Sequence, residues 1–458
     1  MTALATRLQA LNPDRDYPFA AGSLETLIDP SGAMRRIESV LLTQIAAKDL
    51  RSVTVALSFR SPVKFIEALL ALDGLVGGML LIGATVPEQF VRSLMADHGA
   101  SALLSDRAEL KNALRVEHSG GSADASPGGE DRSVSTIWIL TTSGTTGVPK
   151  AVHHSLESLT RSIRGPQPAS VRPHWGLLFD PSRFAGLQVI FQAMLGGGTL
   201  IAPDLEDPWK DQLSFLRKHG CTHLSATPSH WRKLLMSPES DGWPLQQITL
   251  GGEIADERLL NSLKRAYPDA RITHIYASTE AGVGFSVADG LPGFPVRFLD
   301  KAPGKPELKI ADGLLWVRPE QHEVDQPAGS HIVRDGEGFI RTGDRVRIEK
   351  DRVLILGRES ALVNVGGVKV QPEDVERIVA GHPDVMACMV GTKPNSLLGA
   401  VITVTVTPNP GIDDAARLRA DINRWCKQHL PREARPALIT IADQMELGLS
   451  GKIMRGAK

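Results

Sequence analysis

Cysteine is scarce in this chain: Cys221, Cys388 and Cys426 are the three in 458 residues. An odd number at scattered spacing excludes a disulfide framework and a cysteine-based zinc site, and it fits a reduced, cytoplasmic setting. Charge of one sign is lacking too. A formal net charge of −1 gives no electrostatic pull towards nucleic acid or a membrane surface. Aromatic residues make up 5% of the chain, so composition alone does not assure a stacking site. No basic segment followed by an apolar run and a cleavage site opens the sequence, so no signal peptide is expected. The most apolar stretch, Phe65 to Ile82, is interrupted by Glu67, Asp73 and glycines, which makes it a buried helix and strand rather than a membrane span.

What is present is length enough for two or three domains with sizeable cores. Residues 1–50 carry helical patterns without identifiable chemistry. Ser52 to Leu57 reads as a strand, Pro62 to Leu72 as an amphipathic helix and Met79 to Ile82 as a second strand. That order predicts an α/β architecture with parallel sheets. From Ser119 to Arg132 the composition falls to Gly, Ser, Ala, Pro and acids, a solvated segment. Residues 158–171 form a polar connection with no clear pattern. Gly196-Gly197-Gly198 reads as a turn between helix and strand, Leu213 to His219 and Trp231 to Met236 as helices, and Thr222 to Ala226 as a strand.

One stretch stands out. The apolar run Ile137 to Leu140 empties into Thr141-Thr142-Ser143-Gly144-Thr145-Thr146-Gly147-Val148-Pro149-Lys150. Gly144 and Gly147 let backbone approach a ligand closely, because neither carries a Cβ. Successive N–H groups in such a loop form a concave nest for anions. The hydroxyls of Thr142, Ser143, Thr145 and Thr146 add donors, and Lys150 adds a point charge suited to phosphate. This phosphate cradle differs from the G-x-x-x-x-G-K-[ST] type, since Pro149 precedes the lysine and Ala151-Val152 looks like a strand.

At these residues the chain resembles the adenylate-forming superfamily of acyl- and aryl-CoA synthetases, peptide-synthetase adenylation domains and firefly-type luciferases. Further motifs follow in the superfamily's order. Thr249-Leu250-Gly251-Gly252-Glu253 matches the turn that lies along adenine and the acyl pocket. Tyr276-Ala277-Ser278-Thr279-Glu280 resembles Tyr-Gly-x-Thr-Glu, with Ala277 in the usual glycine place. There Tyr276 offers an aromatic face to adenine, Thr279 a hydroxyl to the α-phosphate and Glu280 a hard oxygen ligand to Mg²⁺. Thr342-Gly343-Asp344 matches the motif whose aspartate accepts from the ribose hydroxyls, and Arg358 falls near the ribose. Gly366 and Gly367 lie where a pantetheine arm passes close to backbone. Gly448-Leu449-Ser450-Gly451-Lys452 matches the motif whose lysine enters the site for adenylation. Each motif alone is an ordinary turn; their shared order over about residues 50 to 455 carries the resemblance.

The resemblance implies a large N-terminal domain of parallel-rich sheets flanked by helices (1–357, its N-terminal part shortened) and a small mobile α+β C-terminal domain (358–458). It implies an acid–thiol ligase that uses ATP and Mg²⁺ to make an acyl-adenylate, with catalytic Lys452, Glu280 and Thr279. CoA then takes the acyl group, or alternatively a carrier-protein phosphopantetheine does. A luciferase-type oxygenase and a non-catalytic nucleotide binder are further alternatives. Because Lys452 would block the second attack, the C-terminal domain is expected to rotate about a hinge near Arg358 to Ser360. Besides Ala277, two positions depart from the pattern. Ser360 replaces the usual hinge Asp or Lys, and Arg183 stands where relatives carry an aromatic residue followed by His; it could meet a second acid group on the substrate or pair with Asp180. The acid itself is not legible: Trp175, Phe179, Phe184, Ser225, Ala277 and Phe285 suit an aryl or a medium-sized acyl group. The histidines His153, His154, His223 and His230 lack metal-ligand spacing and are expected at surface or core.

Overall fold

The computed structural model describes residues 3–11, 17–21, 24–28, 37, 49–115, 134–142, 150–166, 172–302, 306–319, 326, 330–409 and 411–442. Its first sheet runs, edge to edge, Ala100–Ser105, Thr54–Ser58, Gly78–Leu81, Ile137–Thr142 and Lys150–His154. The first four strands are parallel and the last returns antiparallel. A parallel sheet is covered on both faces, so its strands are apolar throughout rather than alternating; Val55 to Leu57, Met79 to Leu81 and Trp138 to Leu140 are all buried. Helix Pro62–Leu72 forms over the predicted span. Ser61 caps it by accepting from the Lys64 N–H, and Pro62 takes the first turn, where its missing donor costs nothing. Beyond its end the buried Asp73 carboxylate accepts from Leu4 N at 2.7 Å and Trp138 Nε1 at 2.9 Å, tying helix Leu4–Leu11 to this core.

The second sheet has eight strands in the order Gly282–Val287, Arg271–Ser278, Gln247–Gly251, His223–Ala226, His174–Leu177, Thr199–Ala202, Tyr17–Ala21 and Leu24–Ile28. Helix Phe184–Leu195 lies between the two sheets, its Phe191 edge-on to Trp138 at 5.7 Å in a core that also holds Val55, Leu57, Leu177 and Leu200. Helices Trp209–Lys218, Pro228–Leu235 and Glu257–Ala266 cover the other face of the second sheet through Leu216, Trp231 and Leu263. Gly196 to Gly198 do turn that central helix into strand Thr199–Ala202.

Two sequence expectations are corrected. Residues 1–50 are not helical throughout: Tyr17–Ala21 and Leu24–Ile28 form a hairpin, and the first of these pairs in parallel with Leu200 to Ala202. Long-range pairing decides strand formation there, and local pattern does not report it. The connection at 158–171 is entered by a short helix, Leu156–Thr160, capped by Ser155, so its first residues are helical.

A third sheet, Phe294–Pro295, Arg352–Arg358, Ile340–Glu349, Leu314–Arg318 and Glu307–Ala311, is antiparallel. After the turn Glu359–Ala361 a fourth sheet follows, built from Val363–Val365, Val368–Val370, Val385–Asn395, Gly399–Pro408 and Leu438–Ile441. With helices Pro372–Ala380 and Ala415–His429 it has its own core around Val375, Val404 and Ile422. The molecule is thus an α/β protein with a large N-terminal domain and a small C-terminal one. Arg258 joins them by donating to Ala380 O and, at 3.3 Å, to His382 O, at the end of helix Pro372–Ala380.

Candidate active site

A cavity of about 2160 Å³ opens where the two domains meet. The C-terminal strand ends of the second sheet feed it, which is where ligands bind in open α/β sheets. Thr142, Gly251, Gly252, Glu253, Tyr276, Ala277, Thr279, Glu280, Asp344 and Arg358 line it, so these sequence-selected residues converge on one space. Lys150 begins strand Lys150–His154 opposite Thr142 and is exposed; the Thr142 hydroxyl donates to its carbonyl at 3.3 Å. Ser143, Gly144, Thr145, Thr146 and Gly147 lie outside the described residues, and so does Lys452. Gly366 and Gly367 form the exposed turn between strands Val363–Val365 and Val368–Val370, with φ of +59° and +90°, and do not line the cavity.

At the centre is a network of charges. Tyr276 Oη donates to Asp344 Oδ2 at 2.5 Å, and Arg358 Nε lies 3.3 Å from Asp344 Oδ1. Burial pushes the Asp344 carboxyl above its ordinary value, with Arg358 and the tyrosine hydroxyl opposing. Burial and the neighbouring carboxylate push Tyr276 well up, so it stays a donor. One face of the Tyr276 ring stacks on Phe285 at 5.1 Å. For Glu280, burial works against ionisation but is outweighed by His331 Nε2 at 3.4 Å, its own backbone N–H and the charge of Arg358; its carboxyl is held at about 2. Glu280 is therefore an anion at neutral pH. Among the described residues no three His, Cys, Asp or Glu side chains gather as a metal cage. A single partly exposed carboxylate suits Mg²⁺, which keeps waters and takes its remaining ligands from phosphates.

Sequence reasoning missed the groups that hold this centre in place. His154 Nε2 lies 2.8 Å from the Thr279 carbonyl, so that nitrogen carries the proton, and Arg161 Nη2 donates to the Ala281 carbonyl at 2.6 Å. The two grips fall on either side of Glu280. Gly282, at φ +69°, makes the second possible, since a Cβ there would meet Arg161 Nη2 at 2.4 Å. Burial holds the His154 ring at about 4, hence neutral. His331 and Arg161 lie 51 and 120 residues from their partners, and no local spacing signals them.

Glu253 accepts from Ser229 N at 2.9 Å and Ser229 Oγ at 2.6 Å, which fixes the glycine turn against helix Pro228–Leu235. Arg183 points to Asp180, with Nε 3.7 Å from Oδ2, and donates to the Thr141 carbonyl at 2.5 Å. Of its two sequence-level possibilities, the structure shows the internal ion pair.

The family model described as "AMP-binding enzyme" matches residues 47–314, and the one described as "AMP-binding enzyme C-terminal domain" matches residues 374–452. The chain belongs to the AMP-binding enzyme family. It is 27% identical over 448 residues to surfactin synthase subunit 1 of Bacillus subtilis, covering 88% of this chain and 12% of that protein. It is 26% identical over 320 residues to 2-succinylbenzoate–CoA ligase of Escherichia coli, covering 67% of this chain and 65% of that one. The chain therefore spans less than two thirds of the length of these relatives. In fold it is similar to ATP-bound MatB from Rhodopseudomonas palustris, with a TM-score of 0.75 and 19% identity over 98% of this chain and 97% of that one. No helix among the described residues is long and apolar enough to cross a membrane.

Proposed function

We propose that this chain activates a carboxylic acid with ATP and passes the acyl group to a thiol, CoA being the acceptor. The observation that supports this most is the convergence of Tyr276, Thr279, Glu280, Asp344 and Arg358 on one cavity beside the ends of the threonine–glycine loop. In the first step a carboxylate oxygen attacks the α-phosphorus, the bond to the β-phosphate oxygen breaks, and pyrophosphate leaves. Two anions must be brought together, so the site works by preorganised positive charge and by positioning. Asp344 and Arg358 hold the ribose, Tyr276 faces adenine, and Thr279 donates to the α-phosphate. Mg²⁺ at Glu280, when bound, neutralises charge on the phosphates. Lys452 and the loop 143–147 supply further donors. In the second step the thiolate attacks the acyl carbonyl and AMP departs.

ATP–pyrophosphate exchange across a panel of carboxylic acids tests the reading. Exchange with at least one acid is expected, lost on Glu280→Gln and Asp344→Ala; no exchange with any acid, from protein that binds ATP, would refute it. A second reading, transfer to a carrier-protein phosphopantetheine, is favoured by the likeness to surfactin synthase subunit 1 over 448 residues. Thioester formation with free CoA against a holo carrier protein separates the two.

A further inference from the structure

The second sheet has one unusual face. Parallel strands buried on both sides are apolar on both, and here Leu224, Ile248 and Leu250 point into the core under helices Trp209–Lys218 and Pro228–Leu235 as expected. The alternate residues of the same strands are polar and line the cavity. They fall in register as rows across the strands. Nearest the glycine turn is the row Ser225, Thr249 and Thr273; behind it lies Trp175, His223, Gln247 and Arg271. Ahead of both, Gly251 pairs with Ile275 at the nucleotide end of the cavity.

The hydrogen bonding within this floor is directional. Gln247 Nε2 donates to Thr249 Oγ1 at 3.1 Å and Thr273 Oγ1 at 3.3 Å. A hydroxyl that accepts a hydrogen bond still has its own proton to give, and neither threonine hydroxyl has an acceptor among the described residues. Behind them the His223 ring packs on Trp175 at 4.9 Å, and Arg271 sits exposed at the outer end. Two residues of strand cover about 7 Å and four about 13 Å. The donors therefore begin about 7 Å past the glycine turn and lead outward to a cation.

Resting on the adenylation reading above, we infer that this floor is the seat of the acid's non-reacting end, and that the acid carries a hydrogen-bond-accepting oxygen there rather than a plain hydrocarbon tail. A hydrocarbon laid on Thr249, Thr273 and Ser225 would strip water from three hydroxyls and return no hydrogen bond, whereas a carbonyl or carboxylate oxygen would accept from them. Selectivity of this kind exceeds what shape alone gives, because unpaired buried donors are costly.

The test uses two hydrolysis-resistant adenylate mimics on the whole chain. One is a heptanoyl sulfamoyl-adenosine; the other is the same compound with a ketone at the penultimate carbon of its tail. By calorimetry the ketone is expected to bind about tenfold tighter, the scale of one well-placed hydrogen bond. In Thr249→Val and in Gln247→Leu that ratio is expected to fall towards one while affinity for the plain heptanoyl compound is kept or improved; the retained affinity shows that the variants are folded. Equal or tighter binding of the plain compound by the unaltered chain overturns this inference and leaves the adenylation reading standing. Failure of both mimics to bind overturns the two together.

Discussion

Asp344 is 7% exposed and has both oxygens engaged, one by Tyr276 Oη and one by Arg358. Burial raises this carboxyl, and the two partners oppose the rise. Tyr276→Phe leaves the ring stacked on Phe285 and removes one of them. The expected result is an unchanged melting temperature and a KM for ATP raised about tenfold, with the loss growing below neutral pH as Asp344 protonates; this is read from KM–pH profiles of the two proteins. The histidines have a separate pH signature. His154 and His230 are held at about 4 by burial, and His223 at about 4 by burial and the nearby His174, against an ordinary 6.5. The unfolded chain takes up these protons between pH 6.5 and 4 while the native chain does not, so stability is full above this window and falls as pH drops through it. Each histidine contributes up to about 1.4 kcal/mol per pH unit. Urea unfolding at pH 7 and pH 5 is expected to show the loss, and His154→Gln to reduce it.

Among elements, the strands that were legible are those whose residues are apolar for local reasons. Ile137–Thr142 and Gln247–Gly251 announce themselves by apolar runs meeting glycine turns, and helix Pro62–Leu72 by Ser61, Pro62 and its periodicity. The hairpin at residues 17–28 was illegible because its partner strand lies some 180 residues away in sequence, at Leu200 to Ala202. The same holds for the grip of His154 and Arg161 on the Thr279–Ala281 turn: the motif Tyr276 to Glu280 was readable, but what clamps it comes from strand Lys150–His154 of the first sheet and the end of helix Leu156–Thr160 that follows it. Arg161→Met is expected to lower kcat about tenfold with little change in the KM for the acid, since it loosens the turn that carries Glu280 without touching the acid's seat. Gly282→Ala should do the same by displacing the guanidinium, and the double variant should be no worse than the worse single one, because both break one contact. Steady-state kinetics on the three proteins check this; additive losses would count against it.

At the scale of the whole molecule, the small C-terminal domain rests on the large one through Arg258 and contributes Glu373 and Arg377 to the cavity wall, while its glycine turn at 366–367 points to solvent. An arrangement in which that turn reaches the thiol therefore differs from the one described. Arg258→Ala removes donors to Ala380 O and His382 O and should alter the balance of the two half-reactions. Lys452→Ala is expected to lower adenylate formation at least a hundredfold yet leave thioester formation from a supplied acyl-adenylate within threefold; rapid-quench measurement of each step checks it, and equal losses would remove the lysine from its assigned step.

The helix Phe184–Leu195 belongs to two sheets at once, with Trp138 of one and Leu200 of the other in the same core, and its first residues reach the cavity. Neither sheet can exchange its central amides for deuterium by opening alone without unseating this shared spine. A ligand that presses on Phe184 should therefore slow isotope uptake in Thr54–Ser58 as much as in His174–Leu177, although no atom of the ligand touches the former. The two halves of the large domain would report nucleotide as one body.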